Sequence, residues 1–90
     1  MPRSFSELGR LVDQLARSRD VQGLKVISEH VWEKTGGGPG RSAWGKVLFG
    51  DITPTPNTMR LFWEAFELDE EEATVLAWVY AYGEEPPKDA

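Results

Sequence analysis

The residues best suited to bind a nucleic acid lie together in the segment from Gly40 to Gly50, which reads GRSAWGKVLFG. At 100° per residue, Trp44, Val47 and Leu48 fall on one side of a helix. The other side carries small, polar and cationic residues, with one aromatic: Arg41 near the start, then Ser42, Gly45, Lys46 and Phe49. A helix with one buried face and a short cationic face is what the major groove of DNA accepts.

Gly45 strengthens this interpretation. A glycine inside a helix costs up to about 1 kcal/mol relative to alanine. We expect that cost to be tolerated because the backbone closely approaches something there. A helix that only packs against the core would also show a polar outer face, so a plain packing role stays open as the alternative.

The segment resembles the second half of the lambda-repressor-like (Xre-type) helix-turn-helix, where Ser-Arg-Ser-Thr-Val-Ser-Arg-Leu-Leu-Arg-Gly is common. In that family a proline-containing link follows the glycine and opens a fourth helix. Residues 51–56 (DITPTP) fit the link, and residues 57–67 fit the helix. The resemblance covers roughly residues 5–72 of the chain.

This resemblance implies a sequence-specific regulator of transcription that binds double-stranded DNA, repressor-like and of phage or mobile-element type in a high-GC bacterium. Arg41 is the best candidate for a base contact, bidentate to guanine. Gly45 replaces a residue that is usually polar in the family, so one base contact is absent. The predicted DNA-binding residues are Arg41, Ser42, Gly45 and Lys46 on the third helix, Lys25 on the second, and Arg17 and Arg19 before it.

Capping signals and apolar spacing predict five helices and no strands. The first runs from about residue 5 to 18, with Ser4 as its N-cap and Glu7 completing a capping box. The second spans Leu24 to Thr35. Its apolar side is predicted to contain Leu24, Ile27, Val31 and Trp32.

A glycine-rich break, TGGGPG at residues 35–40, separates the second and third helices. It is longer than the turn of the usual motif, so we predict an expanded turn. A phosphate-binding loop would need Gly at the first position and Lys before the Ser, where Thr35 and Arg41 stand instead. We therefore expect no nucleotide site here.

The fourth helix is predicted to begin at Thr55 as N-cap with Pro56 in the first helical position. Its aromatic side contains Met59, Phe62, Trp63 and Phe66. Asp69 and Glu72 have the spacing of a second capping box. The fifth helix then runs through residues 73–82, which carry no charge, and ends at Gly83.

The fifth helix is apolar all the way round, which is typical of a helix buried on several sides. We predict homodimerisation through its surplus surface, formed by Val75, Trp78, Val79 and Tyr82. A two-fold dimer would present two recognition helices to DNA. Coverage of the same surface by the N-terminal arm or the tail is the alternative.

The charges are divided unevenly along the chain, whose net charge is −5. Residues 1–60 hold nine Lys or Arg and six Asp or Glu, giving +3, while residues 61–90 hold one Lys and nine acids, giving −8. This asymmetry leaves a second function open. A protein-interaction module on the same scaffold would bind another regulator or a polymerase subunit through the acidic C-terminal half and the fifth helix.

Other functions find little support in the composition. His30 is the only histidine and there is no cysteine, so we predict no enzyme, no metal site, no cofactor and no small-molecule ligand. We interpret His30 as a structural residue at the edge of the second helix. No signal peptide or membrane span is recognisable, and we expect a cytoplasmic protein. Residues 1–83 are predicted to form one domain, and residues 84–90 an acidic, proline-containing, disordered tail.

Overall fold

Every predicted helix is present in the computed structural model, which describes residues 4–87. The elements are α1 (Glu7–Arg17), α2 (Leu24–Thr35), α3 (Arg41–Phe49), α4 (Pro56–Phe66) and α5 (Glu70–Tyr82). No strand occurs between residues 4 and 87, so this part of the chain is all-helical, as predicted. Residues 1–3 of the predicted domain and 88–90 of the predicted tail lie outside the described residues.

Side chains cap the starts of α4 and α5 as the sequence predicts. Thr55 accepts a hydrogen bond from the Thr58 N–H at 3.2 Å, and Pro56 occupies the first turn of α4. The Asp69 side chain accepts from the Glu72 N–H at 2.8 Å, while the Glu72 side chain accepts from the Asp69 N–H. Both caps satisfy backbone donors that a helix leaves unpaired at its start.

The predicted start of α1 at Ser4 is wrong. Ser6 is the N-cap, and its hydroxyl accepts from the Gly9 N–H at 3.0 Å. A tertiary contact decides between these two serines, because the Ser6 N–H donates to the Leu48 carbonyl at the end of α3 at 2.9 Å. The first turn of α1 therefore begins where the chain meets α3.

The core lies where α2 packs against α3 and α4, and where α1 packs against α3 and α5. Trp44 is fully buried, and its ring centroid lies 5.9 Å from that of Phe62. Phe62 in turn contacts Phe66, with centroids 4.6 Å apart. These aromatic rings fill the centre of a small domain in which large side chains contribute most of the buried apolar area.

Two tryptophans predicted to lie on apolar faces are largely exposed. Trp32 is 51% exposed, because Ile27 and Val31 form the buried side of α2. Trp63 is 49% exposed on α4, whereas Phe62 and Phe66 are buried. Fewer aromatic side chains are therefore buried in the core than the sequence pattern predicts.

Candidate nucleic-acid interface

The α3 helix is divided into an inner apolar side and an outer polar side. Trp44, Val47 and Leu48 are all buried, while Arg41, Ser42 and Lys46 are all exposed. Burial of the three apolar residues fixes the rotation of the helix, because each large side chain removed from water contributes roughly 1.5–3 kcal/mol. The rotation leaves the predicted cationic residues in solvent.

The two cations of α3 have no ion-pair partner among residues 4–87. This distinguishes Arg41 and Lys46 from most cations in this part of the chain, which lie beside a carboxylate. Arg17 pairs with Asp13 at 2.8 Å, and Lys25 lies 4.0 Å from Glu29. The outer side of α3 therefore carries two cations that no carboxylate of residues 4–87 holds in an ion pair.

The backbone of α3 lies close to the start of α2. A Cβ placed on Gly45 would lie 3.4 Å from the Leu24 Cδ1 atom, and Gly45 is half-buried. The close approach predicted at this glycine is thus made within the protein, to α2. Lys25, which follows Leu24, is exposed near the start of α2.

The starts of α2 and α3 lack side-chain caps. Their N-cap residues are Gly23 and Gly40, neither of which can donate or accept through a side chain. The first N–H groups of these two helices are left for other partners, and helix N-termini of this kind attract anions. Ser28 links α2 to the loop before α3, because its hydroxyl donates to the Pro39 carbonyl at 3.2 Å.

Arg19 lies away from this surface and joins three helices. Its guanidinium donates to both carboxylate oxygens of Glu72, at 2.6 and 3.2 Å, and to the carbonyl oxygens of Phe66 and Leu15. The hydrogen bond to Glu72 raises the pKa of Arg19, and the hydrogen bond from Arg19 holds the pKa of Glu72 below its usual range. With its donors occupied in this way, Arg19 is not positioned to hold a DNA phosphate.

Phe49 closes the C-terminal end of the α3 surface. It is half-buried, and its ring packs edge-to-face on Phe5, with centroids 5.0 Å apart. Phe49 was predicted to lie on the outer side of α3, but it packs against the segment before α1. The exposed polar residues of α3 are concentrated in its first two turns.

Gly9 is a residue whose importance the sequence analysis missed. A Cβ placed on Gly9 would lie only 1.9 Å from the Leu48 carbonyl oxygen, so the backbones of α1 and α3 touch. A glycine within an otherwise regular amphipathic helix was the available signal. The contact fixes the end of α3 and so the orientation of its outer side.

His30 has the structural role that the sequence predicts. Its Nε2 lies 3.0 Å from the Ala65 carbonyl oxygen, and its ring packs on Phe66. Between residues 4 and 87 there is no cluster of His, Cys, Asp or Glu arranged to hold a metal ion. No helix in that range is both long and apolar enough to cross a membrane.

Comparison with known proteins adds no support to the resemblance to the helix-turn-helix family, which depends on the residues of this chain alone. The chain matches no protein-family model, no curated protein and no solved structure.

Proposed function

We propose that this protein is a sequence-specific, double-stranded DNA-binding regulator of transcription that places α3 in the major groove. The observation that carries the proposal is the exposure of Arg41, Ser42 and Lys46 on a helix whose opposite side is buried. Arg41 would reach a guanine edge, where a guanidinium can donate two hydrogen bonds. Ser42 and Lys46 would contact neighbouring bases or phosphates.

The uncapped helix starts support the same role. Phosphate oxygens accept hydrogen bonds from free N–H groups at helix N-termini, and the helix dipole favours their charge. Gly23 and Gly40 leave two such starts. The contact between Leu24 and Gly45 places the start of α2 beside the middle of α3. Lys25 would add a cation beside the start of α2.

The net charge of −5 is compatible with this proposal because of where the acids lie. The C-terminal third, residues 61–90, contributes −8. Exposed charges separated by more than about 8 Å are largely screened at physiological salt. The acids should weaken non-specific DNA affinity, while leaving the local field at α3 positive.

The direct test is a binding titration of the intact protein against duplexes selected from a random library. With about four phosphate contacts, the logarithm of the affinity should fall with that of the salt concentration at a slope of about −3 to −4. Arg41→Ala should weaken binding to the selected site by about 1–3 kcal/mol. Arg60→Ala is the matched control, since Arg60 is an exposed arginine on α4 that pairs with Glu64.

Two results would count against the proposal. One is the absence of any selected duplex at 50 mM salt. The other is an equal loss of affinity in Arg41→Ala and Arg60→Ala, because binding would then report total charge and not the α3 surface.

A homodimer through α5 would place two copies of α3 on one operator. Trp78 and Tyr82 support this, since their rings pack 4.7 Å apart and Tyr82 is 66% exposed. Val79 cannot take part as predicted, because it is buried in the core with 1% exposure. We expect Tyr82→Ser to weaken self-association in sedimentation equilibrium, and a wild-type chain that stays monomeric at 100 µM would contradict the dimer.

A further inference from the structure

A groove runs between α4 and α5, on the side of α5 opposite Trp78 and Tyr82. The two helices are joined by residues 67–69, and side chains of both line the groove. The groove has a volume of about 300 Å³. Met59 and Leu76 are buried beneath it, and Ala73, Ala77 and Trp63 line it.

The aromatic walls of the groove are held in place by hydrogen bonds to the backbone. The indole N–H of Trp63 donates to the Leu68 carbonyl at 3.2 Å, and the Tyr80 hydroxyl donates to the Pro54 carbonyl. The polar atom of each ring is therefore satisfied within the protein, and the apolar surfaces are left for a ligand. Because the groove is already formed, binding a ligand there costs little conformational entropy of the protein.

The charge beside the groove is negative at the α5 side. A shallower opening continues from Trp63 to Glu70 and Thr74. Glu70 is exposed and has no ion-pair partner within residues 4–87. Glu71, by contrast, lies on the side of α5 that carries Trp78 and Tyr82. At the α4 side, Arg60 lines the groove but is held by Glu64 and Asn57.

We infer that this groove is a docking site for a basic amphipathic helix of another protein. A helix laid between two helices presents apolar side chains at positions i, i+3 and i+4 to the floor. A lysine or arginine flanking that stripe would meet Glu70. A second copy of this chain is a poorer occupant, because both copies carry a net charge of −5.

This inference does not depend on DNA binding, and peptide titrations test it. The probe is a fluorescently labelled helical peptide of about 18 residues, with leucines on one face and lysines on the other. We expect the full-length protein to bind it with a Kd on the order of 10 µM. Replacing every lysine by glutamate, or every leucine by serine, should each weaken binding at least about tenfold.

Two alanines on α5 provide a matched pair of variants. Ala77 and Ala81 are both exposed and lie one turn apart, but only Ala77 lines the groove. Ala77→Gln should weaken peptide binding at least about tenfold, while Ala81→Gln should leave it within about twofold. Glu70→Gln should weaken binding of the lysine peptide, while Glu71→Gln, on the other side of α5, should leave it unchanged.

Several outcomes would overturn the inference. Equal binding of the lysine and glutamate peptides would show that charge does not select the partner. An unchanged affinity in Ala77→Gln would place the peptide elsewhere. If the wild type is a dimer and Ala77→Gln is a monomer in sedimentation, a second copy occupies the groove. Duplex binding by Ala77→Gln, measured in parallel, separates failure here from failure of the DNA-binding proposal.

Discussion

The region formed by α2 and α3 differs from that formed by α4 and α5 in how its helices begin. Glycines without side-chain caps start α2 and α3, whereas Thr55 and Asp69 cap α4 and α5 through their own side chains. Residues 24–50 hold four Lys or Arg and two Glu, whereas residues 56–82 hold one Arg and six Asp or Glu. One region therefore has donors and positive charge left for an anion, while the other has satisfied its donors internally.

Under the two proposals, the two regions would bind different partners without competing. A polyanion would bind where N–H groups and cations are unpaired, and an apolar cationic segment would bind where an open groove has an acidic rim. The α1 helix connects both regions. It contacts α3 through Gly9, and α4 and α5 through Arg19, which follows its last turn.

The largest expected effect is that of Gly9→Ala, which breaks the contact between α1 and α3. The new methyl group would overlap the Leu48 carbonyl, so the helices must separate and the bond from the Ser6 N–H to that carbonyl weakens. We expect a loss of about 3 kcal/mol or more in the free energy of unfolding, measured by urea denaturation.

Gly37→Ala is the control for this variant, because no atom lies within 4 Å of a Cβ placed there. It should change the free energy of unfolding by less than about 0.5 kcal/mol. Equal stabilities of the two variants would show that the backbones of α1 and α3 are not in contact, and the orientation of α3 would lose its main support.

Arg19→Met should have the next largest effect, on the region of α4 and α5. It leaves the Glu72 carboxylate and the Phe66 carbonyl without their donor, in a partly buried place. Since bonds to charged groups are worth about 1.5–3 kcal/mol, we expect a loss of about 2–3 kcal/mol. Arg17→Met removes an exposed i,i+4 pair with Asp13 and should cost less than about 1 kcal/mol. A reversed order would contradict the assignment of Arg19.

Acid should diminish the advantage of the wild type over Arg19→Met. The pKa of Glu72 is lowered in the folded state, chiefly by the hydrogen bond from Arg19, so the folded state binds protons less readily than the unfolded chain. This contribution to stability is complete above the ordinary glutamate pKa of about 4.3 and is lost as the pH falls through the lowered value. Urea titrations at pH 7 and pH 3 would measure the difference.

Local signals in the sequence predicted most of the fold. Thr55-Pro56 and the Asp69 and Glu72 pair act within one turn, so the starts of α4 and α5 follow from the sequence alone. The N-cap of α1 does not follow, because the Leu48 carbonyl that selects Ser6 lies 42 residues away. Exposure of Trp32 likewise depends on which side of α2 packs, which local spacing does not determine.

The exposed face of α3 was predicted from the sequence, but the tertiary contacts around it were not. Burial of Trp44, Val47 and Leu48 could be read from spacing, and it turns Arg41 and Lys46 outward. The role of Arg19 could not be read, since its partner Glu72 is 53 residues away. An arginine near a helix end looks the same in sequence whether it holds a phosphate or a carboxylate.

Giving α3 a side-chain cap like that of α5 tests whether the uncapped start of α3 binds a phosphate. Gly40 has extended backbone angles and open space around its Cβ position, so an L-residue fits there without strain. Gly40→Asp should cap the helix and raise the free energy of unfolding by a few tenths of a kcal/mol. The same carboxylate would repel a phosphate, so duplex affinity should fall about tenfold, or about 1.4 kcal/mol.

Gly40→Asn separates the two effects, because asparagine caps a helix about as well but carries no charge. It should stabilise the fold in urea denaturation and lose less duplex affinity than Gly40→Asp in the same titration. If both variants bind duplex as tightly as the wild type, no phosphate lies at the start of α3. In that case the glycine there would reflect only the turn that precedes the helix, and its missing cap would carry no functional meaning.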